Sequence, residues 1–577
     1  MNRYAMQHIM DSSFCFPISE NEIEIRLQTA RDDMKWVELI YESKYVFGMT
    51  QKRVRMNRAY SSELYDYYTI RLQLEDTRLA YVFYVNDGYE SCFFSEDGIT
   101  RDYDYTKGFY NFFQYPYINQ ADIMEEVDWM KEAVFYQIFV DRFYMGDKDK
   151  DTSYINCRWG DIPTPFSFAG GDLRGITEKL DYIMSFGCNA LYLTPVFRSI
   201  SNHKYDISDY YAIDPEFGTA QDLKTLVEEA HRRGMHVVLD AVFNHCSDRM
   251  MQFQDVIAKG RKSKYYDWFF IHGDRVERNE HGYNYETFAS CDYMPKLNTS
   301  NPSVQEYLIG IGCHYLREYG IDGWRLDVSD EVSHDFWRAF RKAIKGCNKN
   351  AVIIGENWHN AYSNLRGDQY DSIMNYAFTK ACLDYFAQES MDARHFAWKL
   401  NDLLMRNTDT VNAMMLNLLD SHDTHRFISE VGGKRFQMKA ALCLLYLFPG
   451  VPCIYYGTEI LTPGGYDPDS RRCMDWSRTD RQGEYADIYE LLSRLAQLRK
   501  EYAHQKISTD IRQEKGVFIL TQHMTSEKLH LYINSTDARA VIGGQEIQKR
   551  SYFMGSQTGT VDYFTFLFPL KYIAFRS

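Results

Sequence analysis

Between residues 121 and 500 short apolar runs alternate with amphipathic stretches, and eight such runs stand out. They are AVFYQIFV (133–140), NALYLTPVF (189–197), HVVLDAVF (236–243), GWRLDV (323–328), AVIIGE (351–356), DSIMNYAF (371–378), AMMLNLLD (413–420) and VPCIYYG (451–457). Helical spacing lies between most of them. In DLKTLVEEAHRRG (222–234), Leu223, Leu226, Val227 and Ala230 fall on one face and Gly234 supplies the stop. Strands alternating with helices require a parallel sheet, and eight of them over this length predict an α/β chain with a (β/α)8 TIM barrel. The gap 246–322 exceeds one crossover helix, so an inserted loop subdomain is expected after strand 3, over about 246–300.

The flanks read differently. Residues 1–120 carry strand-like segments such as TIRLQL (69–74) and RLAYVFYV (78–85) between Asp-Gly turns, which predicts an N-terminal β-sandwich. Residues 501–577 return to strands (GVFILTQ, KLHLYIN, YFTFLF) and predict a C-terminal antiparallel β domain. With 80 acidic against 65 basic residues and no basic run, the chain lacks the cations that displace counterions from nucleic-acid phosphates. The most apolar stretch, 440–447, stops at Pro449-Gly450 and is too short to cross a bilayer. The N-terminus has no unbroken apolar core of a secretion signal. Twelve cysteines without a C-x-x-C pair fit reduced, buried thiols, so a cytoplasmic location is expected.

In a barrel of this kind chemistry gathers at the carboxyl ends of the strands. Four acids end or closely follow apolar runs here: Asp240, Asp327, Glu356 and Asp423. His245 and His422 accompany them, and Arg325 lies two residues before Asp327, on the same face of its strand. One strand-end acid is commonly a helix cap, but four on one barrel rim with a buried arginine demand a functional reason, because crowded like charges destabilise a fold. Several carboxylates without a thiol nucleophile suit glycoside cleavage, in which one attacks or stabilises the anomeric carbon and another protonates the leaving oxygen. No phosphate loop, nucleophile elbow, zincin or dinucleotide motif competes.

DAVFNH (240–245), GWRLDVSDE (323–331), GENWH (355–359) and LLDSHDT (418–424) resemble the four ordered sequence regions of the α-amylase family, glycoside hydrolase family 13. MPKLN (294–298) and the run from Tyr455 to Trp476 resemble its neopullulanase, cyclomaltodextrinase and maltogenic amylase subfamily, whose N-terminal β domain is starch-binding-like. The resemblance implies Asp327 as nucleophile, Glu356 as general acid/base and Asp423 as the third acid. It implies substrate contacts or orientation from His203, Tyr205, Asp240, His245, Arg325, Trp358, His422, Asp467 and Arg471. The implied activity is retaining cleavage of α-1,4 bonds in cyclodextrins, maltodextrins or pullulan through a covalent glucosyl-enzyme. An α-1,6-acting oligosaccharidase or a transglycosylase is the alternative within the clan. A glucan-binding scaffold is disfavoured by the three intact carboxylates. A homodimer is implied as well.

Two departures stand out. Many relatives hold calcium near the first strand, and the corresponding positions are Asp147, Asp151, Gly170 and Asp172, with Met145 and Lys150 replacing two oxygen donors. A thioether and an ammonium supply no oxygen, so no calcium and no other cofactor is expected to be required. The second region reads VSDE where VANE is common, with Asp330 in place of Asn, which leaves the preference among glucans open.

Overall fold

The computed structural model describes residues 1–280, 282–558 and 564–566. Each of the eight apolar runs supplies one parallel strand: β1 Phe135–Ile138, β2 Ala190–Leu193, β3 His236–Ala241, β4 Gly323–Leu326, β5 Val352–Gly355, β6 Ser372–Ile373, β7 Leu416–Leu418 and β8 Val451–Tyr455. Their order is β6-β5-β4-β3-β2-β1-β8-β7. A parallel bridge between Met374 and Leu416 joins the two ends, so the sheet closes into a barrel. The strands are buried almost throughout, as expected of a parallel sheet covered on both faces.

The helices follow their local signals. Helix α1, Ala220–Arg232, buries Leu223, Leu226, Val227 and Ala230. It begins two residues before the periodic stretch because Thr219 caps it, its side chain accepting from the Asp222 N–H while Asp222 accepts from the Thr219 N–H. Gly234, at φ +72°, ends the turn beyond it in a conformation that favours glycine. Between β3 and α2, Pro302–Glu318, the chain makes the insertion expected after the third strand. Backbone bridges pairing His245 with Lys296 and Phe269 with Leu297 bring its two arms together. Helix α3, His334–Cys347, follows β4 and buries Phe336, Trp337, Phe340 and Ile344.

The barrel unit comprises residues 127–388 and 414–504, and a second compact unit comprises residues 1–126, 389–413 and 505–577. In the second unit a four-stranded and a six-stranded antiparallel sheet sandwich Ile23, Ile25, Leu27, Val37, Leu39, Tyr81, Phe83 and Val85. Strands Ser508–Glu514, Val517–His523, Glu527–Asn534, Ser551–Thr558 and Phe564–Phe566 form a five-stranded antiparallel sheet, with Val517, Ile519, Tyr532 and Phe553 in a small core. The helix Ala393–Met405 belongs to this unit. Among the described residues no helix is long and apolar enough to cross a membrane.

One half-buried acid ties down the amino-terminal side of the barrel. Asp322, just before β4, accepts from the Val237 N–H at 2.8 Å, and it contacts His231 Nε2 at 2.8 Å and His236 Nδ1 at 3.0 Å. Burial pushes its carboxyl up, but the bonds from His231, His236 and Val237 more than offset this and hold it below the usual range. The bond to Asp322 raises His231 in turn. A raised histidine stabilises the fold below its unfolded pKa of about 6.5, and that contribution fades as pH rises through the folded value. A depressed carboxylate stabilises above its unfolded pKa of about 3.9, and its contribution fades as pH falls. Asp322→Asn should therefore lower unfolding free energy at pH 6 by about 1–3 kcal/mol. It should also flatten the decline in stability between pH 6 and 8, as read by denaturant titration.

Candidate active site

The register of the barrel builds the centre of the site. Asp240 on β3 and Arg325 on β4 are directly paired, so their side chains share one face. Arg325 Nη1 donates to both Asp240 oxygens at 2.9 Å and to Asp327 Oδ1 at 2.8 Å. Its Nη2 lies 3.0 Å from Glu356 Oε2, at the end of β5, without hydrogen-bond alignment. One guanidinium thus touches carboxylates from three neighbouring strands. Arg325 and Asp240 are fully buried, and Asp327 and Glu356 nearly so. An isolated ion at such depth is very costly, so the charges depend on one another.

A second chain of polar contacts runs around the rim. Tyr192 Oη and Tyr205 Oη donate to Asp240 Oδ2 at 2.8 and 2.9 Å. Tyr205 Oη also meets His422 Nε2 at 2.6 Å, and the two rings lie parallel with centroids 5.6 Å apart. Gln137 Nε2 approaches His422 Nδ1 at 2.7 Å, and His422 Nε2 lies 3.1 Å from Asp423 Oδ2. With the Gln137 amide donating to Nδ1, the imidazole proton sits on Nε2 and is donated to Tyr205 Oη, while Asp423 Oδ2 lies near it without hydrogen-bond alignment. Arg471 carries the network outward: its Nη2 donates to Asp423 Oδ1 at 3.2 Å and its Nη1 pairs with Asp467 Oδ1 at 2.9 Å. Its Nε donates to the His422 carbonyl at 2.9 Å.

The other candidates fall around this core. His203 is stacked near Tyr205, with ring centroids 5.9 Å apart, and its Nδ1 accepts from the Tyr205 N–H. His245 lies against the Phe288 ring of the insertion at 4.8 Å, and its buried Nε2 has no hydrogen-bond partner among the described residues. Trp358 Nε1 donates to Glu356 Oε1 at 3.2 Å, and its indole is stacked on Tyr376 at 3.7 Å. Gln137, Tyr192, Phe288 and Tyr376 were not singled out from sequence. Gln137 had a signal, being a lone amide inside an apolar barrel strand, where every other side chain of that run is apolar until Asp141. Tyr192 had a weaker one, one residue before the end of β2 and on the same alternation as Thr194.

Environment sets the charge states. Burial pushes Asp327 well above the usual carboxylate range. Arg325 draws it back, and Glu356, Asp240 and Asp423 push it up further. Burial likewise raises Asp240 to about 6 against the pull of Arg325 and the two tyrosines. His203 and His245 fall to about 3, in each case chiefly through burial. His422 is driven well below its usual range by burial, with Arg471 and Arg325 adding to it. These imidazoles are neutral near pH 7, so proton exchange falls to the carboxylates.

The four positions that would form a calcium site do not fit the ion. Lys150 Nζ donates to the carbonyls of Gly170 at 2.7 Å and Glu216 at 2.9 Å, and it lies 3.1 Å from Asp172 Oδ2. An ammonium therefore already satisfies the oxygens that a cation would take. Asp147 pairs with Arg174 at 3.2 Å, and Asp151 accepts from the Ser153 N–H at 2.8 Å.

Residues 137–530 match the family model described as alpha amylase, catalytic domain, and residues 1–119 match that described as alpha amylase, N-terminal ig-like domain. A cyclomaltodextrinase of Thermoanaerobacter pseudethanolicus is 40% identical over 565 residues, spanning 96% of this chain and 97% of that protein. Neopullulanase 2 of Thermoactinomyces vulgaris is 40% identical over 496 residues, spanning 85% of this chain and 84% of that one. A solved cyclomaltodextrinase structure superposes with a TM-score of 0.88 at 37% identity, covering 94% of this chain and 93% of its own.

The Lys150 arrangement has a measurable consequence. Thermal unfolding should be unchanged by EDTA or by added calcium, because no ion is needed to hold the Gly170 and Glu216 carbonyls. Lys150→Ala removes the cation beside buried Asp172, which keeps its bonds from the Gly146, Asp147 and Gly175 N–H groups, and should cost about 1–3 kcal/mol, read as a lower Tm.

Proposed function

This chain belongs to the α-amylase family, and we propose that it is a retaining α-glucan hydrolase in which Asp327 attacks the anomeric carbon and Glu356 is the acid/base. The observation that carries this reading is the Arg325 guanidinium, which gathers Asp240, Asp327 and Glu356 from adjacent strand tips. Arg325 engages Asp327 Oδ1 and leaves Oδ2 without a hydrogen bond among the described residues, available for attack. The Glu356 proton passes to the glycosidic oxygen as the bond to C1 breaks, leaving the sugar joined to Asp327. Water, deprotonated by Glu356, then displaces Asp327 and restores the α configuration.

The remaining groups take roles that their geometry supports. Asp423, fixed by Arg471, bonds ring hydroxyls of the sugar that is being distorted. His422 and the unpartnered Nε2 of His245 bond further hydroxyls. Tyr205, with His203 behind it, offers an aromatic face to the apolar side of the ring. Asp467 and Arg471 serve the next glucose on one side, and Trp358 serves the leaving-group side. No cofactor takes part.

Cyclodextrins, maltodextrins and pullulan are the proposed substrates, with α-1,4 bonds cleaved. Parallel product analysis on β-cyclodextrin, pullulan and soluble starch tests this, and proton NMR of the first product should show the α anomer. Asp327→Asn and Glu356→Gln should each lower kcat at least 10³-fold on these glucans while leaving the unfolding transition cooperative. Full turnover by either variant, or a β product, would overturn the assignment.

The free cysteines, all unpaired among the described residues, support a reducing, cytoplasmic setting. The exposed rings of Tyr4, Tyr45, Tyr89, Phe109 and Tyr110 support association with a second copy of the chain. Light scattering should give about twice the 68.1 kDa chain mass, and a single-chain mass would refute the dimer.

A further inference from the structure

The turn after Asp327 holds an arrangement that the reading above does not use. Val328 stands at φ +44°, ψ +45°, in the left-handed region, where a β-branched side chain is a genuine outlier. Such a conformation persists only where its surroundings over-determine it. Here they do, on both sides of the next residue. The Ser329 carbonyl accepts from Trp337 Nε1 and from Tyr370 Oη, each at 2.9 Å. Its Oγ–H donates to the Glu356 backbone carbonyl at 2.6 Å. The reversed backbone at Val328 aims its own N–H at Glu356 Oε2, 2.8 Å away.

Glu356 is therefore gripped at both ends by one turn of the neighbouring strand, at its main-chain oxygen by Ser329 and at one carboxyl oxygen by Val328. The residue before it must leave room for this grip. A Cβ on Gly355 would lie 2.7 Å from the Tyr370 ring and 2.9 Å from Ser329 Oγ, so glycine is what allows the two strands to close up. Ser329 is fully buried, and its hydroxyl stands where the VANE pattern has a methyl group.

We propose that Ser329 and Val328 are positioning residues that couple the tip of the nucleophile strand to the acid/base, fixing Glu356 so that Oε1 faces the leaving group. Oε2 already receives the Val328 N–H and lies beside Arg325, two positive neighbours that favour negative charge there. The exchangeable proton is thereby assigned to Oε1. There the only hydrogen bond among the described residues comes from Trp358 Nε1, at 3.2 Å. This inference rests on the acid/base role proposed for Glu356.

A substrate whose leaving group needs no protonation separates positioning of the acid from general damage. We would compare kcat/KM for β-cyclodextrin and for α-maltosyl fluoride in wild type, Ser329→Ala, Ser329→Cys and Glu356→Gln. Both ratios report the step in which the glucosyl-enzyme forms, and fluoride departs without a proton donor. Ser329→Ala should lose about fivefold on cyclodextrin and less than twofold on the fluoride. Ser329→Cys, similar in size but a weaker donor, should lose about twofold on cyclodextrin with the same selectivity, and it carries the test if the alanine variant fails to fold. Equal losses on both substrates, or none on either, would overturn the clamp. Glu356→Gln is the control: if it loses as much on the fluoride as on cyclodextrin, the acid/base reading itself fails. If it shows the selectivity and the Ser329 variants do not, only the clamp is lost.

Discussion

A single guanidinium with no access to water sets the terms for this site. Arg325 is wholly buried, and its charge is tolerable only because Asp240, Asp327 and Glu356 surround it. The dependence is mutual, since each carboxylate would be expelled or neutralised without the arginine. It also reaches back into the fold. The contacts exist only if β3, β4 and β5 are adjacent, parallel and in register, and the pairing of Asp240 with Arg325 meets that demand residue for residue. A slip of one position would turn the arginine away from the lumen and leave three acids without a counter-charge.

Much of this was legible in the chain because parallel barrels write their strands as apolar runs and place chemistry at the run ends. All eight runs became strands, and the acids closing three of them met at one cation. The aromatic and amide partners were harder to find. Tyr192 and Tyr376 sit in runs where a tyrosine is ordinary core material, and only its hydroxyl partner or ring neighbour marks it. Phe288 lies in the insertion, whose path depends on backbone bridges such as His245 with Lys296, and no periodicity announces those. The left-handed turn at Val328 had no signal either, since valine is among the last residues one would place there. Helix Ala393–Met405 illustrates a different limit. Its spacing is helical, but Phe396, Ala397, Leu400, Leu403 and Leu404 bury a broad face, and amphipathicity does not say which unit that face joins.

The Lys150 site shows one electrostatic problem met with an alternative cation. The Gly170 and Glu216 carbonyls and the Asp172 carboxylate converge, and convergent oxygens repel unless something positive lies between them. A divalent ion would do so with high charge and six or more bonds. An ammonium does so with a single charge, three donors and a covalent tether, which removes any dependence on ion concentration. The buried Lys204, immediately before Tyr205, pairs with Asp214 at 3.0 Å and with the carboxylate of the same Glu216 whose carbonyl Lys150 holds. Lys204 thus braces the loop that carries Tyr205.

The proton inventory of the site follows from these placements. Three imidazoles are pushed down chiefly by burial, with nearby arginines or lysines adding to it, so they enter as neutral groups. Both arginines stay charged. That leaves the carboxylates as the groups able to give or take a proton, and they are more numerous than the cations facing them. Close like charges in a low dielectric cannot all ionise, so the cluster keeps a proton that separate carboxylic acids would have released. A retaining glycosidase needs one such proton in its first step and one such vacancy in its second. The surplus of acids over fixed cations supplies the first, and the Val328 N–H and Arg325 beside one Glu356 oxygen determine where that proton does not reside.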